Sequence, residues 1–237
     1  MRLHVMLPTL KKSSFATAIL FLCLQPLTAS ADNFIDVYFG RANFADDTVS
    51  ATFQNVSLLG AGQGFSVSKR VSYDTANVYG LRLGRWFEGY PFLGVAVDLS
   101  YFEAKGDDVT IEMIPLSVLL MVRYPLMVNR DYPGGRLHPY AAIGPAFITA
   151  DFELDFSEFT KKVSSAGRGV GADFRAGLAW HLNQRLVIFG EYRHLRADLE
   201  TTDDWRGIFV LTGSVDLVEA KADIRSSQFL GGLSFRF

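Results

Sequence analysis

Gln228-Phe229-Leu230-Gly231-Gly232-Leu233-Ser234-Phe235-Arg236-Phe237 closes the chain. Read in alternation, Phe229, Gly231, Leu233, Phe235 and Phe237 fall on one side. Gln228, Leu230, Gly232, Ser234 and Arg236 fall on the other. Successive side chains of a β-strand point to opposite faces, so this stretch has one bulky apolar face and one that is mostly small or polar. A strand of that kind divides two different environments.

The same alternation recurs upstream. Ile114, Leu116, Val118, Leu120, Val122 and Tyr124 share a face opposite Ser117 and Arg123. Leu93, Val95, Val97, Leu99 and Tyr101 oppose Gly94, Ala96, Asp98 and Ser100. Phe174, Ala176, Leu178 and Trp180 oppose Asp173, Arg175, Gly177 and His181. Tyr79, Leu81 and Leu83 oppose Gly80, Arg82 and Gly84, and Ile35, Val37 and Phe39 oppose Asp36, Tyr38 and Gly40. In Leu186, Ile188, Gly190 and Tyr192 against Glu191 and Arg193, the apolar Val187 and Phe189 blur the second face. Residues 141–148, AAIGPAFI, alternate least, being apolar on both faces. Period 2 thus dominates and helical period is scarce.

Eight strands are predicted, over 33–43, 73–87, 92–104, 109–125, 137–153, 168–182, 185–199 and 222–237. The connections at 87–91 and 181–185 are short, whereas 44–72, 154–167 and 200–221 read as long polar loops. A short loop at 105–108 and a longer turn at 126–136 are the exceptions.

Alternating strands build either a soluble sandwich, apolar side inward, or a membrane barrel, apolar side toward lipid. The small-and-polar faces carry unlike charges: Asp36, Asp98, Asp173 and Glu191 with Arg82, Arg123, Arg175 and Arg193. Such a set suits a barrel lumen, where buried charges are tolerable when paired. Aromatics near strand ends (Trp86, Phe87, Tyr90, Phe92, Tyr124, Tyr140, Trp180 and Phe237) suit a membrane interface, apolar on one edge and wet on the other. In lipid every backbone group needs a partner, so the sheet must close. The expectation is all-β: an eight-stranded antiparallel transmembrane β-barrel. A soluble lipocalin-like barrel is the fold alternative.

The N-terminus reads as a cleaved signal peptide over 1–31. Arg2, Lys11 and Lys12 precede the apolar run Phe15 to Leu24, and Ala29-Ser30-Ala31 supplies a small-x-small cleavage site. The apolar run holds ten residues, half the ~20 needed for a spanning helix. Leu22 before Cys23, the single cysteine, does not fit a lipoprotein site. Cleavage leaves 32–237 as the barrel domain, 206 of the 237 residues. It carries 20 basic and 25 acidic side chains, net −5, because the three basic residues named above leave with the peptide. That balance gives no reason to expect nucleic acid as a partner. With 49 % apolar residues, the composition also excludes a disordered chain.

The terminal FLGGLSFRF, the IPLSVLLMVRYPL stretch at 114–126 and the HPYAAIGPAF stretch at 138–147 resemble the small OmpA/OmpX-like outer-membrane barrels of Gram-negative bacteria. The resemblance implies location in the bacterial outer membrane, with lipid and lipopolysaccharide around the barrel. It also implies that Phe229, Leu233, Phe235 and Phe237 resemble the assembly signal read by the barrel-assembly machinery. With no peptidoglycan-binding domain after Phe237, the cell-wall tether of larger OmpA proteins is not expected.

Chemistry is sparse. Gly64-Phe65-Ser66-Val67-Ser68 lacks the last glycine of a nucleophile elbow, and Gly60-Ala61-Gly62-Gln63-Gly64 lacks dinucleotide-fingerprint spacing. Gly167, Gly169 and Gly171 lie at strand period, where glycine makes room for neighbours. Of the mature histidines, His138 reads as a turn residue and His181 as a strand end. His194, near Glu191 and Asp198, reads as a surface residue or, less simply, an acid–base partner; it lacks the serine two places on that marks barrel lipid A deacylases. No catalytic residue, metal site or cofactor is expected. The loops carry acidic pairs at Asp46-Asp47, Asp107-Asp108 and Asp203-Asp204, and basic residues Lys69, Arg70, Lys161, Lys162 and Arg168. These read as solvated loop charge or as contacts to lipopolysaccharide phosphates and their bridging cations. The favoured function is a non-enzymatic barrel with a structural or surface-interaction role, its extracellular partner unspecified. A lipid A- or phospholipid-modifying enzyme and a narrow pore stay open as alternatives.

Overall fold

The computed structural model describes residues 32–45, 47–54, 65–71, 73–105, 109–156, 161–201, 205–210 and 213–237. Eleven strands follow in order: β1 (Asp32–Phe44), β2 (Asp47–Gln54), β3 (Phe65–Val71), β4 (Ala76–Trp86), β5 (Leu93–Lys105), β6 (Val109–Arg123), β7 (Leu137–Phe156), β8 (Lys161–His181), β9 (Leu186–Thr201), β10 (Trp205–Val210) and β11 (Gly213–Arg236). Eight of them, β1, β4 to β9 and β11, pair antiparallel with their neighbours. The sheet closes where β1 meets β11, from Phe34 opposite Arg236 to Phe44 opposite Ser226. The barrel therefore has no open edge within the membrane, as lipid demands.

Parity decides what each strand shows to lipid. On β11, Phe229, Leu233 and Phe235 are exposed while Gln228, Leu230, Ser234 and Arg236 are buried. On β6, Ile114, Leu116, Leu120 and Val122 point out and Met113, Ser117, Leu119 and Met121 point in. The 141–148 stretch resolves the same way: Ile143 and Phe147 face lipid, whereas Ala142, Ala146 and Ile148 are buried. Phe229 to Phe237 spans nine residues, enough for a tilted strand to cross a bilayer at ~9–11 residues.

Aromatic side chains border this apolar band on both rims. Phe39, Tyr79, Tyr101, Phe147, Tyr192 and Phe229 are exposed along the rim nearer the long connections. The next outward-facing residue on each of those strands is polar: Arg41, Asn77, Glu103, Thr149, His194 and Ser227. Tyr90, Phe92, Tyr124, Phe235 and Phe237 line the rim at the short turns, the periplasmic end in barrels of this kind. Two residues assigned to such a rim from sequence belong elsewhere. Trp86 and Tyr140 have inward parity and are buried in the lumen.

The long polar connections are partly strand, contrary to the sequence expectation. β2 and β3 form a hairpin from Asp47 opposite Val71 to Phe53 opposite Phe65. β2 pairs with the upper part of β11, and β10 pairs with its first residues. β7, β8 and β11 run to 20, 21 and 24 residues, about twice a membrane crossing. Outside the membrane both faces of a strand meet water, so no apolar alternation marks it. The outer wall is tall along β7, β8, β9 and β11, and low along β4 and β5.

Candidate functional site

The lumen brings most of the predicted charges together. Arg82 Nε donates to Asp36 Oδ2 at 2.9 Å, and its Nη1 to Glu191 Oε2 at 2.8 Å. Arg175 donates from Nη2 to Asp98 Oδ1 at 2.7 Å and from Nη1 to Asp98 Oδ2 at 2.9 Å, a bidentate pair. The same guanidinium reaches Asp173 at 2.8 and 3.0 Å and Glu191 at 3.2 Å. Arg193 donates to Asp173 at 2.8 Å and to the Ser100 hydroxyl at 2.8 Å. Tyr38 donates to Asp98, Tyr140 to Glu191 and Ser117 to Asp173, at 2.7 to 2.8 Å. One continuous network thus crosses the barrel axis, linking residues of β1, β4, β5, β6, β7, β8 and β9.

The pairing follows from register. Arg175 lies directly opposite Arg193, not beside an acid. The bonds therefore run diagonally and along strands, Arg175 to Glu191 and Arg193 to Asp173. Arg123 does not join this network. It sits at the periplasmic mouth, where Nη1 meets Asp32 Oδ2 at 2.8 Å and the guanidinium lies 4.2 Å from the Trp86 ring centroid. Arg236 stacks on Phe34 beside it, 4.8 Å from the ring centroid. The mouth is lower on the same inward face of β6, three inward positions below Ser117, too far for contact with the central acids. Among the described residues, Asp32, Asp36, Asp98, Asp173 and Glu191 balance Arg82, Arg123, Arg175, Arg193 and Arg236, five against five.

Above the network the lumen is apolar. Val78, Phe102, Ile111, Met113, Ile148, Leu195 and Leu199 are buried there, interleaved with Ala42, Ala104, Ala146 and Ala197. An eight-stranded barrel is just wide enough for its side chains to fill it, so its interior packs like a protein core. Lumen glycines make that filling possible. A Cβ at Gly80 would strike the Tyr38 ring, one at Gly84 the Phe34 ring, and one at Gly169 the Leu199 side chain. The enclosed space beside Asp36, Arg82 and Tyr140 is about 20 Å³, room for a single water.

The remaining predicted residues lie on the wall and rim. His138 is not a turn residue: it is the second residue of β7, buried, 4.9 Å from the His181 ring. Glu191 and His194 cannot form an acid–base pair because odd and even parity place them on opposite faces of β9. His194 and Asp198 share the outer face but stand four residues apart, about 13 Å along a strand. Arg168 is exposed on the outer face of β8. Lys69 and Arg70 lie on β3 and Lys161 and Lys162 open β8, so all four are strand residues; their side chains lie outside the described residues. Residues 1–31, Asp46, Asp107, Asp108, Asp203 and Asp204 also lie outside them. The sequence placed Tyr38, Ser100, Gln228 and Arg236 on the small-and-polar faces and Tyr140 at a rim, but did not mark these or Asp32 as partners of the lumen charges. Inward parity on their strands was the signal available for each.

Residues 14–237 match the family model described as outer membrane protein beta-barrel domain. No curated protein matches the chain. Among solved structures, the chain is similar to the outer membrane protein OprG from Pseudomonas aeruginosa: 17 % identity, 88 % of this chain and 97 % of that one, TM-score 0.56. It is also similar to Neisserial surface protein A, NspA (15 %, 84 % and 97 %, 0.44), and to Ail, the attachment invasion locus protein of Yersinia pestis (14 %, 87 % and 99 %, 0.40). At these identities the likeness concerns fold alone, and the OprG match carries it.

Proposed function

Since this chain belongs to the outer membrane protein beta-barrel domain family and sits in the bacterial outer membrane, we propose that it is a non-enzymatic, non-conducting scaffold whose work is done on its outer surface. The filled lumen carries this reading. Arg82, Arg175 and Arg193 are buried and locked to four carboxylates, and among the described residues the layer above them is apolar and buried. The tall wall of β7, β8, β9 and β11 is then the working surface, since recognition concentrates on segments displayed by a rigid scaffold. Lys161, Lys162 and Arg168 of this wall, with Lys69 and Arg70 of the β2–β3 hairpin, are the basic residues offered to lipopolysaccharide. In this reading residues 1–31 are removed on export, and the outward Phe229, Leu233, Phe235 and Phe237 form the strand that the barrel-assembly machinery reads.

Planar-bilayer recording of the mature chain tests it. The expected trace shows no conductance steps, in the protein as it is or in Arg193→Gln. Steps that change size on that substitution would make the protein a pore. Mass spectrometry of lipids from cells with and without the protein is expected to give identical acyl patterns; a gained or lost chain would make it an enzyme.

A further inference from the structure

The outer face of β9 and β11 carries a ladder of directly opposed pairs. From the periplasmic rim upward these are Leu186 and Phe235, Ile188 and Leu233, Gly190 and Gly231, Tyr192 and Phe229, His194 and Ser227, Arg196 and Arg225, then Asp198 and Asp223. Three rungs are unusual. Arg196 faces Arg225 two rungs above the aromatic rim, and Asp198 faces Asp223 on the next rung, although like charges directly opposite in a sheet repel. Asp223 offsets part of this, accepting from Arg225 at 2.6 Å and Arg196 at 3.4 Å. Both guanidiniums remain more than half exposed.

The last of these rungs lies three steps below the arginines, inside the apolar band. A Cβ built on Gly190 meets nothing within 4 Å, and one on Gly231 meets a single atom at 3.9 Å. The barrel has no steric need for either glycine, unlike Gly80, Gly84, Gly169 and Gly177, where a side chain would collide. Glycine weakens a strand interior and often marks close approach by another molecule. Phe39 of β1 and Leu178 of β8 flank the bare rung in register, so it forms the floor of a furrow. A surface hollow lined by Phe39, Arg41, Phe229 and Gly231 joins that furrow to a third arginine.

We propose that this face holds one phosphorylated, acylated lipid of the outer leaflet, with phosphate on Arg196 and Arg225 and an acyl chain over Gly190 and Gly231. The charge order matches such a lipid. Paired arginines stand two rungs above the aromatic rim, on the side where phosphates lie, and the furrow stands below it, where chains lie. The Tyr192 and Phe229 rings, 5.3 Å apart, separate the two regions at the depth of the ester and sugar groups. Phosphate adds to Asp223 in neutralising the two guanidiniums, whose side chains stay more than half exposed. The proposal rests on the surface role and lipopolysaccharide contact argued above and adds a defined site on a different face.

Native mass spectrometry tests the site, using the mature protein in nanodiscs of phosphatidylcholine doped with bis-phosphorylated lipid A. The unaltered chain is expected to leave the nanodisc with one lipid A bound. Arg196→Gln with Arg225→Gln is expected to lower that occupancy about tenfold, the loss of charge-assisted hydrogen bonds. Gly190→Leu with Gly231→Leu is expected to lower it as well while the barrel stays folded, seen as an unchanged heat-induced shift in gel mobility. Lys105→Gln, on the far wall, is expected to change nothing. Equal occupancy in all four proteins would overturn the site. So would equal binding of lipid A stripped of both phosphates, or a dimer mass that the glycine substitutions abolish. None of these results bears on conductance or lipid turnover, so the site and the scaffold reading fail separately.

Discussion

Arg175 touches three carboxylates at once, Asp98, Asp173 and Glu191, from the middle of a closed barrel. Removing one partner of a buried ion set strands the others, which is costlier than the set itself is stabilising. Arg175→Met is therefore expected to lower unfolding stability by about 3–5 kcal/mol, read as a lower urea midpoint in detergent micelles. Arg196→Gln on the outer face should shift that midpoint little, because exposed ion pairs contribute ~0–1 kcal/mol. An equal effect of the two would show that the lumen network does not hold the barrel. At this scale the charges were legible in the sequence, since parity alone puts Asp36, Arg82, Asp98, Asp173, Arg175, Glu191 and Arg193 on inward faces. Their partners were not. Arg175 opposite Arg193 is a fact of the β8–β9 register, which the short turn between them sets, and the bond from Arg175 across the lumen to Asp98 depends on closure of the whole sheet.

Among the elements, β11 shows how far a pattern can be read. Its lower half alternates from Phe237 up to Ser226 because one side meets lipid and the other a packed interior. Its upper half, from Gly213, read as loop, as did β2, β3 and β10, because their sequences lack the apolar alternation of a lipid-crossing strand. The apolar faces make a quantitative prediction. Leu120→Arg places a charge on the lipid side of β6 and is expected to cost about 2–4 kcal/mol in folding into bilayers, falling toward zero near the rims. Lipid-titrated refolding would measure it. A cost near zero for Leu120→Arg would mean that this face of β6 does not meet hydrocarbon. The aromatic rims were half legible: Tyr90, Phe92, Tyr124 and Phe237 stand at strand ends, but Trp86 and Tyr140 have the parity of the lumen.

The molecule as a whole divides into a barrel that is complete without its outer hairpin and a wall that rises from one side. β1 pairs with β4 and β11 below Ala45, independently of β2 and β3. Replacing Asp47–Val71 with a short turn is expected to leave the urea midpoint within about 1 kcal/mol of the full chain, with the heat-induced gel shift intact. Loss of that shift would mean that the hairpin holds the closure together.

The sequence by itself determined that eight alternating strands cross a membrane, which side of each faces lipid, and which charges turn inward. Those follow from a period of two and from the difference between hydrocarbon and packed interior, both local properties of the chain. The tertiary structure alone decided which arginine meets which acid and that Arg123 belongs to the mouth. It also set Arg196 against Arg225 above two glycines, and it continued the sheet beyond the membrane. Each of these depends on the relative stagger of strands distant in sequence, and a strand carries no record of its neighbour's register.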